Sequence, residues 1–411
     1  MKNQEYNAFK IILLLAIIGL SGWLILNNSR GFSLTGGPTI CDSNSAPSVT
    51  IKKPKTTDTV TLDTPYTYKW SACNVTKPYT ITITKPDGNT FVLGTTDLKN
   101  FTATLDSGMY KDGSYSIFVT STDGLISPAV TFNTSNTYGT RYYNEVFSGY
   151  TLTSDLTYGS AINDDGSNID LKLDVYQPTG DLSTSRAAIV FVHGGGFTTG
   201  DKAGGSNAEL FAKTFALRGY VTVSPNYRLH TKKNGVVSGD DQVESMLDVK
   251  AAVRWMRANA TVYGIDPDRI SIGGSSAGAA IANGVAYSDE KGEGDSGNPG
   301  YSSKVNSVMS FKGYLTALGN VDAGEPPLLD IVGTLDDFYQ ASLDLYNTVV
   351  GDGIHALWYP ISGGTHNSIG WDSTLQYSVP FFCQWNAGFC TSDAQDANIT
   401  TTITGSGSDG E

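Results

Sequence analysis

The chain has 411 residues, with 40 acidic against 27 basic side chains and a formal charge of −13. That length suffices for two or three domains and at least one large core. The acidic balance, with no basic patch, argues against nucleic-acid binding and disfavours polyanionic substrates. Lys2 and Lys10 precede an apolar run over residues 11–26, broken only by Ser21 and two glycines. As a helix the run is about 24 Å long, short of the roughly 30 Å apolar core of a bilayer. It also slightly exceeds the about 7–15 apolar residues usual in a signal peptide. Residues 1–26 are expected to direct export, either as a cleaved signal peptide or as a retained membrane anchor. Residues 27–46, rich in Gly, Ser, Asn and Pro, read as a linker.

From about Pro47 to Thr134 the character changes. Short runs alternate polar and apolar residues: Ser48 to Ile51, Tyr66 to Trp70, Thr80 to Thr84, Ser114 to Val119. Turn signals at Pro86-Asp87-Gly88-Asn89 and Lys111-Asp112-Gly113 separate them. Short alternating strands at this spacing predict an antiparallel β-sandwich over residues 47–134. It is either a spacer or a platform whose aromatics stack on sugars. Residues 135–150 connect it to a second region.

Residues 151–390 alternate strand and helix patterns. Strands are expected near 169–178, 187–193, 220–226, 270–274, 306–313, 327–332 and 355–361. Helices are expected near 206–218, 242–260, 277–288 and 337–350. This order predicts an α/β domain with a mainly parallel sheet covered on both faces. The acidic, Gly-rich insert from Ser288 to Pro299 is expected to be a mobile surface loop. The tail, residues 391–411, has a disordered composition. The chain's four cysteines suit an exported protein, with disulfides expected at Cys41–Cys73 and Cys383–Cys390. Glycosylation sequons begin at Asn74, Asn100, Asn133, Asn259 and Asn398.

The motifs that carry chemistry lie in this second region. Gly274-Ser275-Ser276-Ala277-Gly278 fits G-x-S-x-G, between a short apolar strand and a helix pattern. A serine at such a corner is lifted from the sheet with its hydroxyl exposed. His193-Gly194-Gly195-Gly196-Phe197 comes directly after an apolar strand run. Its glycines leave backbone amides open to a ligand, as stabilisation of a forming oxyanion requires. No G-x-G-x-x-G start or Lys-Ser/Thr ending points to a nucleotide. Asp336 and His366 each lie just past the carboxyl end of a late strand, where open α/β sheets build their sites. The order Ser276, Asp336, His366 is that of an α/β-hydrolase triad. Asp337, the rival acid, is expected to cap the next helix. Of the other histidines, His193 is expected to shape its turn, His230 to be solvated or structural, and His355 to face solvent or a helix.

With Leu173 to Pro178, Asn226-Tyr227-Arg228-Leu229, Asp248 to Asn259 and Gly297 to Ser303, these motifs resemble an α/β-hydrolase. The likeness is to the carboxylesterase and hormone-sensitive-lipase-like serine esterases, similar to small bacterial acetylxylan and feruloyl-type esterases. It covers residues 145–390. It implies Ser276 as nucleophile, His366 as base and Asp336 as orienting acid. The oxyanion hole would be the amides of Gly195, Gly196 and Ala277. The module at residues 47–134 resembles an immunoglobulin-like domain. Ser275 departs from the acidic residue many relatives carry there. The stretch from Gly313 to Pro326 is shorter than a lipase cap, implying an open cleft and bulky or polymeric ester substrates, such as acylated polysaccharide. No metal or organic cofactor is expected. The rival functions are a prolyl-oligopeptidase-type peptidase, whose propeller domain is missing here, and an inactive hydrolase fold serving surface adhesion.

Overall fold

The computed structural model describes residues 41–62, 64–86, 88–105, 110, 113–135, 141–315, 321–388 and 390. The export segment, most of the linker before residue 47 and the tail lie outside them, as do Asp87, Lys111, Asp112 and residues 136–140. Among the described residues, no helix is long and apolar enough to cross a membrane.

The first module is all β. Its strands are β1 (Ser48–Lys53), β2 (Thr59–Thr61), β3 (Tyr66–Cys73), β4 (Tyr79–Thr84), β5 (Thr90–Thr96), β6 (Asn100–Ala103), β7 (Gly113–Ser121) and β8 (Val130–Ser135). They form a three-stranded sheet, β1-β3-β6, and a five-stranded sheet, β2-β8-β7-β4-β5. Only β2 and β8 pair in parallel. Strand alternation sends Tyr68, Trp70 and Ala72 of β3 and Tyr79, Ile81 and Ile83 of β4 into one shared core. Trp70 and Tyr79 pack edge to face at 5.6 Å. These aromatics are buried and fill the core.

The second module is built on an eight-stranded sheet in the order β16-β15-β14-β13-β11-β12-β10-β9. The strands are β9 (Tyr150–Ile162), β10 (Asn168–Pro178), β11 (Arg186–Val192), β12 (Val221–Pro225), β13 (Ile265–Ser275), β14 (Val308–Phe311), β15 (Leu328–Gly333) and β16 (Ala356–Ile361). From β12 to β16 every pair is parallel. β10 and β9 join antiparallel at one edge. The helices are α1 (Asn207–Ala216), α2 (Gly239–Ala258), α3 (Ala260–Tyr263), α4 (Ala277–Tyr287), α5 (Tyr339–Gly351) and α6 (Leu375–Trp385).

Every residue of β11, β12, β14 and β15 is buried, because helices cover both faces of the sheet. β11 shows the division. Ala188, Val190 and Val192 join the core beneath α2 and α4, while Ala187, Ile189 and Phe191 join the core beneath α1 and α6. A capping box between Ser238 and Asp241 starts α2.

The structure departs from the sequence reading at three places. β9 and α6 have no counterpart among the expected elements. β9 is an edge strand exposed along most of its length, and α6 carries Pro380 inside it. The insert after Ser288 is not free surface chain. The buried Lys250 ammonium donates to the carbonyls of Ser288 and Gly292 at 2.8 and 2.9 Å. Arg254 holds the carbonyls of Glu293 and Gly297, and Ser296 bonds Asp248 at 2.6 Å. All four cysteines are in disulfides; Cys383–Cys390 closes the end of α6.

Candidate active site

The chain runs from β12 on one side of β11 to β13 on the other. That reversal opens a crevice at the carboxyl ends of β11 and β13. The glycine loop leaves β11 there, and Ser276 leaves β13.

Ser276 is at φ 56°, ψ −122°, immediately before α4. A positive φ is unfavourable for a residue with a Cβ and persists only where neighbours enforce it. The enforcers are close. Ser276 N–H donates to the Phe311 carbonyl at 2.9 Å, and its carbonyl accepts from Ala279 and Ala280. A Cβ on Gly278 would land on the carbonyl oxygens of Val192 and His193, and one on Gly274 on the carbonyl of Gly278. The two flanking glycines are therefore what let β13, the turn and α4 close against β11.

The structure brings Ser276, His366 and Asp336 together. His366 Nε2 lies 2.9 Å from Ser276 Oγ. His366 Nδ1 lies 2.9 and 3.1 Å from the two carboxylate oxygens of Asp336. The ionised carboxylate accepts only, so Nδ1 carries the proton and the Nε2 lone pair faces the serine hydroxyl. The Asp336 side chain is fully buried and that of His366 is 27% exposed. Their loops are laced together: Thr334 N–H donates to Ile361, Leu335 N–H to Gly364, and Gly363 N–H to Thr334 Oγ1.

The cap expected of Asp337 does not form: α5 begins at Tyr339 with no side-chain cap. Asp336 Oδ1 accepts Phe338 N–H at 2.9 Å, whereas Asp337 is exposed. The two carboxylates are thus separated by burial and partner alike. Gly195 and Gly196 take φ of 111° and 60°, and their amides meet no backbone acceptor among the described residues. Ala277 opens α4, where first-turn amides lack intrahelical partners.

The remaining histidines sort by contact. His193 Nδ1 is 2.7 Å from the Gly194 carbonyl, as a turn-shaping role requires. His230 is structural, the second of the two roles expected of it: it is buried, and Nδ1 pairs with Asp164 at 2.9 Å. Asp164, His230 and Asp241 bring one ligand atom each within 4.8 Å of one another, the one group among the described residues that could hold a metal ion. His355 lies against the Trp385 ring of α6 at 4.7 Å.

Sequence does not single out every residue beside the triad. Asn207, at the start of α1, donates to Ser275 Oγ at 3.2 Å, so the unusual Ser275 has a neutral partner. Phe338 meets the His366 ring edge-on at 5.3 Å and stacks on Tyr314 at 4.7 Å. Tyr227 stacks on His193 at 4.4 Å. Only Tyr227 carries a signal, its place in the Asn226-Tyr227-Arg228-Leu229 motif after a buried strand.

Comparison with known proteins finds similarity within the second module. The BD-FAE family matches residues 173–336, from β10 to the candidate acid. A probable carboxylic ester hydrolase, LipM of Mycobacterium tuberculosis, is 28% identical over 232 residues, covering 56% of this chain and 49% of that protein. The phenmedipham hydrolase of Pseudarthrobacter oxydans is 37% identical over 110 residues, 26% of this chain and 21% of that protein. The chain thus spans about half the length of the first relative and a smaller share of the second. A solved esterase from Thermogutta terrifontis is 24% identical, covers 60% of this chain and 96% of its own, and superposes with a TM-score of 0.49. Residues 173–336 are thus similar to the BD-FAE family, and the chain is similar to carboxylic ester hydrolases.

Proposed function

We propose that the protein is an exported serine esterase that hydrolyses carboxylic esters through an acyl-enzyme, with Ser276 as nucleophile, His366 as general base and Asp336 as orienting acid. The observation that carries this reading is the unbroken hydrogen-bonded line from Ser276 Oγ through the imidazole to the buried Asp336 carboxylate. A serine hydroxyl attacks poorly unless a base removes its proton as the bond forms. His366 Nε2 takes that proton, and Asp336 stabilises the imidazolium. The amides of Gly195, Gly196 and Ala277 then receive the carbonyl oxygen as it becomes an anion; one such donor is worth about 3–4 kcal/mol of barrier. The imidazolium returns the proton to the departing alkoxide, and a water activated in the same way releases the acid.

The substrate in this reading is a bulky or polymeric ester. The described residues between β14 and β15 form no helical cap, and the His366 side chain is partly open to solvent. Export fits the disulfides, which persist in oxidising compartments; residues 1–26 would direct it. The immunoglobulin-like module serves as a spacer, since its aromatics are committed to its own core.

The test is the Ser276→Ala variant assayed on p-nitrophenyl acetate. It should fold as the parent does and lose nearly all turnover. Undiminished turnover would remove Ser276 from the mechanism.

A further inference from the structure

The C=O and N–H of a trans peptide point in opposite directions within one plane. A hydrogen bond that captures a peptide's carbonyl therefore aims its amide the other way. Each amide assigned to the oxyanion hole belongs to a peptide whose carbonyl is captured. For Ala277 the carbonyl is that of Ser276, which accepts Ala279 and Ala280 N–H at 3.0 and 3.1 Å. For Gly196 it is that of Gly195, which accepts the amides of Thr198 and Thr199, both at 3.1 Å, and their hydroxyls at 3.3 and 3.1 Å. For Gly195 it is that of Gly194, and here no backbone donor serves. Two side chains do: His193 Nδ1 at 2.7 Å and the Tyr227 hydroxyl at 3.4 Å. The single hydrogen of that hydroxyl is shared with the preceding carbonyl, that of His193, which lies nearer at 3.0 Å.

Both side chains are built to stay donors. His193 is 1% exposed and Tyr227 3%, with rings stacked at 15° between planes. Burial keeps the His193 imidazole below its ordinary value and pushes the Tyr227 phenol up. The ring has no room to turn away, because Gly200, at φ 110°, approaches so closely that a Cβ there would strike Nδ1. This explains the glycine at the far end of the loop motif.

We infer that His193 and Tyr227 are positioning residues of the oxyanion hole, which aim the Gly195 amide by holding the carbonyl of its own peptide. The inference rests on the esterase reading above. It separates two side chains that act through the peptide carbonyl from the amide that faces the substrate. With the carbonyl free, the peptide tilts and the amide leaves the line of the developing charge.

The experiment is Tyr227→Phe in the full chain, which keeps the ring and removes the donor. On p-nitrophenyl acetate, kcat should fall about tenfold, as misaimed hole donors and small misplacements do, with KM within about twofold. The Ki of a trifluoromethyl ketone, which forms a tetrahedral adduct on the serine, should rise by the same factor. The Ki of the unreactive ether p-nitrophenyl ethyl ether should not move. His193→Asn, which keeps an N–H donor near the Nδ1 position, should retain more kcat than His193→Ala. Unchanged kcat and ketone Ki in Tyr227→Phe would overturn the inference, as would equal losses for the ketone and the ether. Activity surviving in Ser276→Ala would instead sink the underlying esterase reading, so the two failures are distinct.

Discussion

Asp330 gives a quantitative prediction. It lies in β15, in register with Ser310 of β14 and Trp358 of β16. It is 0% exposed. Its carboxyl accepts from Ser342 Oγ at 2.7 Å, and Ser342 Oγ in turn accepts Trp358 Nε1–H. No cation faces it among the described residues, so burial raises its pKa from 3.8 to about 7. The group is thus held protonated in the fold and ionises freely in the unfolded chain. Its contribution to stability is full below about pH 4. It falls as the unfolded chain ionises, and the loss is complete once pH passes about 7. A gap of about three pKa units corresponds to roughly 4 kcal/mol. Asp330→Asn has no proton to lose, so the stability difference, variant minus parent, should climb by about that amount between pH 4 and pH 8. Parallel urea unfolding of both proteins across that range, followed by tryptophan fluorescence, measures it. Parallel stability profiles for the two proteins would refute the reasoning, because they would mean that Asp330 titrates alike in both states.

The site and its supports lead to three further outcomes. Gly278→Ala places a methyl group on two carbonyl oxygens of the β11 end; overpacking of that kind costs about 1–3 kcal/mol, so a lowered melting temperature and lost turnover are expected together. Asp336→Asn cannot hold the Nδ1–H tautomer of His366, and kcat should fall on the order of 10⁴-fold with folding preserved, because the amide oxygen can still accept Phe338 N–H. Lys250→Met leaves the Ser288 and Gly292 carbonyls without their donor; at about 1–3 kcal/mol for each orphaned group, residues 288–297 should exchange amide hydrogens faster than in the parent. Unaltered protection there would show that the insert is held by other means.

Much of the site is legible in the sequence because its chemistry constrains the chain locally. The glycines around Ser276 are demanded by backbone contacts within a few ångströms, and the buried strands β11, β13 and β15 advertise themselves as apolar runs just before each functional loop. What escapes such a reading depends on partners far away in the chain. β9 is an edge strand with mostly exposed residues, so it has no apolar run to announce it. α6 hides behind Pro380, which ordinarily ends a helix but is accommodated here among buried Phe381, Phe382 and Cys383. The Ser288–Pro299 insert reads as loose acidic loop because the two cations that tie it down lie about forty residues earlier, on α2. Spacing alone favours Asp336 over Asp337, yet the bond from Phe338 N–H to Asp336 depends on burial that spacing does not encode. The choice between a solvated and a structural His230 has the same origin: its partner Asp164 comes from the β9–β10 turn, 66 positions away.

The most direct test is where a fluorophosphonate attaches. Such a reagent captures only a serine that is activated by a base and faces oxyanion donors. After reaction with the whole protein, intact mass and peptide mapping should show one adduct per chain, on the peptide containing Ser276, and none in the His366→Ala variant. No adduct, or an adduct on another side chain, would contradict the account.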